Sequence, residues 1–307
     1  MRCPSGASGT RWPFARQLDL FHASDDIIRR SPAEAGSIGF TSAKLILASL
    51  PHKKYAGGVY VRKAGRYQLK IVTDPAVGIP YGRVPRIILF WIVSEAVRTQ
   101  SPWIELGKCQ ADFLKRRLGI GDTGGDRGSI PRYRDQAQRL FCGMFSVTEI
   151  RDESMDFRNV TLAESGRLLW TPHMRSSGRF EGTLKLSDTF FTECIDHGFP
   201  IDVRAVSALS STIAIDLYTF FAYRLRQLRA PLFLTWEMLH SQLGSQADIG
   251  TPSHLRSFKA KLSGHLRRVF LVYPDARVEV EDKGLWLRPS RPPVPERTRC
   301  SGNVPVR

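Results

Sequence analysis

The chain has 307 residues, 42% hydrophobic and 24% charged, a composition that suits one large or two ordinary globular domains and excludes a disordered protein. Lysine and arginine outnumber acidic residues 45 to 29, a formal net charge of +16, which favours a polyanionic partner such as DNA or RNA. The longest apolar run, Ile87–Val93, has seven residues against the roughly 20 that span a bilayer, and the N-terminal MRCPSGASGTRWPFARQ lacks the apolar stretch of a secretory signal. A cytoplasmic protein with no membrane partner is expected.

Residues 1–40 are rich in Ser, Gly, Ala and Arg without sustained periodicity and read as a flexible tail. A first unit is expected over 58–170. GRVPRIILFWIVSEAVRT, with Pro85 in its first turn and almost no polar face, predicts a buried helix. The short extended piece WIEL and an amphipathic helix in KCQADFLKRRLGI follow, then the loop GDTGGDRG. SIPRYRDQAQRLFCGM predicts a longer helix with Ile130, Tyr133, Ala137, Leu140, Phe141 and Met144 at helical spacing and Arg132, Gln136 and Arg139 opposite. MFSVTEIRD and DFRNVTLAE read as a hairpin around ESM.

After a linker over 171–199, the same order recurs in a second unit over 200–289. A short helix around DVRAVSAL precedes the apolar helix STIAIDLYTFFAYRLRQL, then come the strand PLFLT, the helix WEMLHSQLG and the loop ADIGTP. SHLRSFKAKLSGHLRRVFLVY predicts a long helix that buries Leu255, Phe258, Leu262, Leu266 and Val269 and contains no acidic residue. DARVEVED and KGLWLRP close the unit as a hairpin. Residues 290–307 form a Pro/Arg-rich tail; from Arg288 onward there are five arginines and one glutamate.

Helix, strand, helix, turn, helix, hairpin is the order of a winged helix, whose third helix enters the major groove. The expected fold is therefore α+β, two tandem winged-helix DNA-binding domains between disordered tails. The candidate DNA contacts are Arg127, Arg132, Arg134, Gln136 and Arg139 in the first unit, and Ser253, His254, Arg256, Lys259, Lys261, Arg267 and Arg268 in the second. Arginine's bidentate fork suits guanine, which favours Arg132 and Arg139 as base contacts, whereas lysines suit phosphates.

No chemistry is legible. GDTGGDRGS lacks the Gly-Lys-Ser/Thr ending of a P-loop. The seven histidines form neither a His-x-His pair nor an i, i+4 pair. Asp152, Glu153 and Asp156 fall in a hairpin turn and read as solvated. Five scattered cysteines include no CxxC, so they read as reduced thiols, with Cys109, Cys142 and Cys194 as small buried hydrophobes. Catalytic residues, metal ligands and cofactors are not expected.

GIPYGRVPRIILFWIVSEAVRTQSPWIELG and GDTGGDRGSIPRYRDQAQRLF, with LSDTFFTECIDHGFPIDVRAVSALSSTIAIDLYTFFAYRL and VYPDARVEVEDKGLWLRPSRPPV later in the chain, resemble the RepA-like family of plasmid-encoded replication initiators. The resemblance runs from Gly78 to Val294. It implies binding to repeated sequences, iterons, in double-stranded plasmid origin DNA, opening of the origin, and recruitment of the host initiator and replicative helicase. It further implies monomers on iterons, with homodimers acting in repression and copy control. A transcription regulator of the same fold is the alternative, and a nucleic-acid-processing enzyme the third.

Overall fold

The computed structural model describes residues 20–42, 49–107, 128–167, 182–243 and 251–295. Arg127, the helix expected in KCQADFLKRRLGI and most of the loop after it lie outside these residues, as do the first 19 residues and 296–307. The fold is mixed α/β, with eight helices and four sheets among the described residues. None of these helices is long and apolar enough to cross a membrane.

The stretch expected as an N-terminal tail contains α1 (Leu20–Arg29) and β1 (Ile38–Ser42). Leu20, Ala23 and Ile27, at helical spacing, pack α1 onto the core, and Ser24 Oγ donates to Leu271 O at 2.7 Å. Strands β2 (Val59–Ala64) and β3 (Tyr67–Val72) form a hairpin, and α2 (Arg83–Thr99) follows. Helix α2 is buried from Pro85 to Ala96, so its apolar run has no solvent face to preserve. Strand β1 lies against it: Ser94 Oγ accepts from Phe40 N at 2.8 Å. A Cβ on Gly39 would stand 2.6 Å from Val203 Cγ2 and 3.3 Å from Ser94 Oγ, so only glycine permits that approach.

Next come β4 (Trp103–Gly107), α3 (Ser129–Phe141), β5 (Met144–Ile150), β6 (Met155–Thr161), β7 (Ala163–Arg167) and β8 (Gly182–Leu186). The expected hairpin β5–β6 forms, but it does not return to β4. It pairs with β3 instead, giving an antiparallel sheet in the order β2-β3-β5-β6. Strand β4 pairs with β8, which pairs with β7. The stretch expected as a linker, 171–199, thus supplies the central strand of a sheet, and α4 (Asp188–His197) follows directly, capped by Ser187.

Strand β9 (Gly198–Asp202) pairs antiparallel with β1, and α5 (Val203–Ala208), α6 (Thr212–Gln227), β10 (Leu232–Thr235), α7 (Trp236–Leu243), α8 (Pro252–Val272), β11 (Val278–Val280) and β12 (Gly284–Leu287) complete the fold. The last sheet has the order β10-β12-β11. This matches β4-β8-β7: in each, the strand after a long buried helix pairs with the later strand of a distant pair. The two expected copies thus share a strand order in these sheets, with β5–β6 standing outside it in the first. One continuous core, from Ala23 to Leu287, runs through both copies. Beyond β12, Val294 is 4% exposed and Arg291 O accepts from Tyr273 OH at 2.8 Å, so 290–295 pack onto the fold.

The two cysteines described differ from each other. Cys194 is buried, which pushes its thiol up to about 12, whereas Cys142 is exposed despite its place beside a helical pattern.

Candidate nucleic-acid interface

Helix α8 begins at Pro252, with Thr251 Oγ1 accepting from His254 N at 3.3 Å. Leu262, Leu266, Val269 and Val272 face inward, and the helix packs on α6 and α1. The remaining surface is basic. Arg256 and Arg267 share one side of the helix and His254, Lys261 and Arg268, spaced by seven, share another. All five are exposed, as is Ser253. Between the two rows lie Ser257, Ala260 and Gly264, also exposed. A Cβ on Gly264 would meet nothing within 4 Å, so the protein's own packing does not require glycine there.

Lys259 is placed differently. Its Nζ donates to Asp282 O at 2.5 Å in the β11–β12 turn and lies 5.4 Å from the Trp236 ring centroid.

Helix α3 is less open than expected. Arg132 is exposed and Arg134 half-buried. Gln136 is 5% exposed, its Oε1 accepting from Tyr81 N at 2.8 Å and its Nε2 donating to Asp135. Arg139 folds back: Nε donates to Asp135 Oδ1 at 2.8 Å, and its guanidinium lies 5.6 Å from the Tyr81 ring centroid. A Cβ on Gly78 would stand 2.3 Å from Arg139 Nη1. Gln136 and Arg139 therefore hold the 78–81 segment against α3 instead of lining an open face. Helical spacing could not reveal this, because the loop they grip lies about 60 residues upstream.

A buried ionic cluster joins the two copies. Arg86, in the first turn of α2, donates to both carboxylate oxygens of Asp216 in α6, at 2.7 and 2.8 Å. Asp216 Oδ2 also accepts from Ser49 Oγ at 2.6 Å and contacts His52 Nε2 at 2.8 Å. Arg86 further donates to the carbonyls of Gly82 and Leu50. Its side chain is 4% exposed and that of Asp216 11%. Burial alone would raise the Asp216 pKa, but the charge of Arg86 and the hydrogen bonds from His52 and Arg86 outweigh it and hold the carboxyl well below its ordinary value. His52 is depressed by burial, assisted by Arg86 and Arg62 and opposed by Asp216. Neutral at pH 7, it presents an Nε2 proton, since a carboxylate can only accept. Arg204 makes a second cluster, donating to Asp202, to Asp26 of α1 and to Arg30 O. That cluster ties α1 to the start of α5.

The outward face of the β2-β3-β5-β6 sheet carries exposed apolar residues at its two ends, with Lys70, Ser146 and Asn159 between them. Val59, Val72 and Met144 stand in one cross-strand row, with Val61, Ile150, Met155 and Phe157 on the same face. Phe157 is 65% exposed and Met155 60%, and their strand β6 is an edge of the sheet. Among the described residues no group of three or more His, Cys, Asp or Glu is arranged to hold a metal ion.

Comparison with known proteins gives a family and a fold. The model of the family described as plasmid-encoded RepA protein matches residues 79–237, about half of the chain, from just before α2 to the start of α7. The crystal structure of RctB domains 2-3 is similar to 80% of this chain and 95% of its own, at 15% identity and a TM-score of 0.51. Selenomethionine derivatives of domain 2 and domain 3 of RctB are similar at 14% identity and a TM-score of 0.49, over 80% of this chain and 95% of theirs. No curated protein matches the chain.

Proposed function

Because the chain belongs to the family of plasmid-encoded RepA proteins, which are replication initiators, we propose that it binds repeated sequences in double-stranded origin DNA through two winged-helix units, promotes origin opening and recruits host replication proteins, with no chemistry and no cofactor of its own. The observation that carries this reading is α8, a 21-residue helix without an acidic residue, with Arg256, Lys261, Arg267 and Arg268 exposed around a strip of small side chains. Arginines and lysines on such a helix neutralise phosphates and release counterions, which supplies affinity. Side chains reaching base edges supply specificity. Ser253 and His254 belong to the same surface at its N-terminal end. In the first unit Arg132 is the foremost contact, joined by Arg127 and Arg134, while Gln136 and Arg139 shape the surface from beneath. The host partners that this role calls for are the host initiator and the replicative helicase.

Plasmid maintenance tests the initiator role. Supplied in trans, the protein should sustain a plasmid that carries the origin but not the gene, and the Arg267→Ala/Arg268→Ala variant should not. Loss of the plasmid with the native protein present, alongside binding to a single palindromic operator, would instead make this a transcription regulator.

The exposed apolar end of this sheet supports a homodimer, with two copies burying Ile150, Met155 and Phe157 and closing the β6 edge. Phe157→Glu combined with Met155→Glu should shift the protein to monomer in analytical ultracentrifugation while its far-UV circular dichroism stays native. An unchanged association would place the dimer contact elsewhere.

A further inference from the structure

The second hairpin is held in an unusual way for an element expected to flank DNA. Its turn is tight: Glu281 N donates to Gly284 O at 2.9 Å. A Cβ on Gly284 would lie 2.1 Å from Leu234 O, so β12 is pressed against β10 from its first residue. The carbonyl of Asp282, at the tip, receives two donors. One is Trp236 Nε1 at 2.9 Å and the other Lys259 Nζ at 2.5 Å, which together fill both lone pairs of that oxygen. Trp236 is 2% exposed, and its backbone N donates to Lys283 O at 3.3 Å. The Lys259 ammonium stands 5.4 Å from the centroid of the Trp236 ring and 3.7 Å from the Asp282 carboxylate, with its side chain 32% exposed.

Three consequences follow from this geometry. The hairpin tip is tied to the first turn of α7 and to the middle of α8, so it does not project away from the helices. The tip exposes Glu281, Asp282 and Lys283, a net negative charge that does not favour entry into a groove lined by phosphates. Lys259, already beside a carbonyl and a carboxylate, has less field to offer a phosphate than Arg256 or Arg267, beside which no such partner lies among the described residues.

We propose that Lys259 and Trp236 form a brace that pins the β11–β12 turn to α8, making Lys259 a positioning residue of the DNA-binding surface and not one of its phosphate contacts. The inference rests on the DNA-binding reading, and it separates Lys259 from the other basic residues of α8. By fixing the turn, the brace sets the angle at which α8 stands out from the β10-β12-β11 sheet.

The test compares Lys259→Met, Lys259→Arg and Arg267→Ala on origin-repeat DNA across a salt series. Lys259→Met should weaken binding about threefold to tenfold with the native slope of log affinity against log salt, and Lys259→Arg should restore affinity. Arg267→Ala should lower the slope by about 0.9. Trp236→Phe should weaken binding similarly, and adding it to Lys259→Met should cost little more, because both act on one carbonyl. A readout without DNA accompanies these: amide hydrogen exchange over 278–287 should accelerate in Lys259→Met while that of α6 stays native. A slope reduced in Lys259→Met as much as in Arg267→Ala, or hairpin exchange unchanged, would overturn the brace. Faster hairpin exchange in a protein whose native form prefers no DNA would retain the brace and remove the DNA-binding reading.

Discussion

Asp216→Ala should lower folding stability by about 3–5 kcal/mol, seen as a drop in the urea midpoint at unchanged slope. The loss is expected to be large because Arg86 would keep its charge in a site where its side chain is 4% exposed, with its carboxylate partner gone. Replacing both partners, Arg86→Met with Asp216→Leu, should recover most of it, since removing a buried pair together leaves no orphaned charge. The cluster ties α2 of the first copy to α6 of the second, within one continuous core. A single unfolding transition is therefore expected, and two separable ones would contradict it. The same cluster makes the protein acid-sensitive. Asp216 is held below its ordinary pKa, so its contribution is complete above the unfolded carboxylate value and is lost as pH falls through the folded one. His52 and His265 are depressed below 6.5, chiefly by burial. The unfolded chain binds their protons first, so stability should also decline as pH drops below about 6.5. Both signs agree, and stability rising on acidification from pH 7 to 5 would show that the cluster is not as described.

Arg267→Ala with Arg268→Ala should reduce the salt slope of DNA binding by about 2, one unit for each lost phosphate contact. The two side chains lie on opposite sides of the exposed face of α8 and neither packs into the core, so melting temperature should stay near native. Gly264→Leu provides the complementary arm. Nothing lies within 4 Å of a Cβ at that position, and leucine improves helix propensity by about 0.5–1 kcal/mol over glycine. The fold should therefore be slightly more stable while DNA binding falls, because a large side chain now stands between the two basic rows. Native binding by Gly264→Leu would mean that this strip does not approach the DNA.

Much of this architecture is legible in the sequence, and the rest is hidden for identifiable reasons. Ile87–Val93 announces a buried helix because no polar residue interrupts it, and α8 is readable because Leu262, Leu266 and Val269 repeat at helical spacing among basic residues. Helix α1 was hidden because its apolar contacts, Leu20, Ala23 and Ile27, are few and lie next to a Ser/Gly/Arg-rich stretch. Strand β8 was hidden because its partner β4 is about 80 residues away, and a period of two says nothing about which strand is the partner. For the same reason β5–β6 is recognisable as a hairpin while its docking onto β3 is not. At the site, charge and helix phase bring forward Arg256, Lys261, Arg267 and Arg268, all exposed. They mislead at Arg139, Gln136 and Lys259, whose partners Tyr81 and Asp282 come from distant loops. The Arg86–Asp216 pair had no sequence signal at all: one charge in each of two apolar helices, 130 residues apart.

Binding of the purified protein to direct repeats from the plasmid's own origin, measured against scrambled DNA of equal length and composition across a salt series, tests the central claim most directly. Binding to the repeats should be tighter at every salt concentration, with a preference of about a thousandfold or more near physiological salt. Equal affinity for the two DNAs would contradict it.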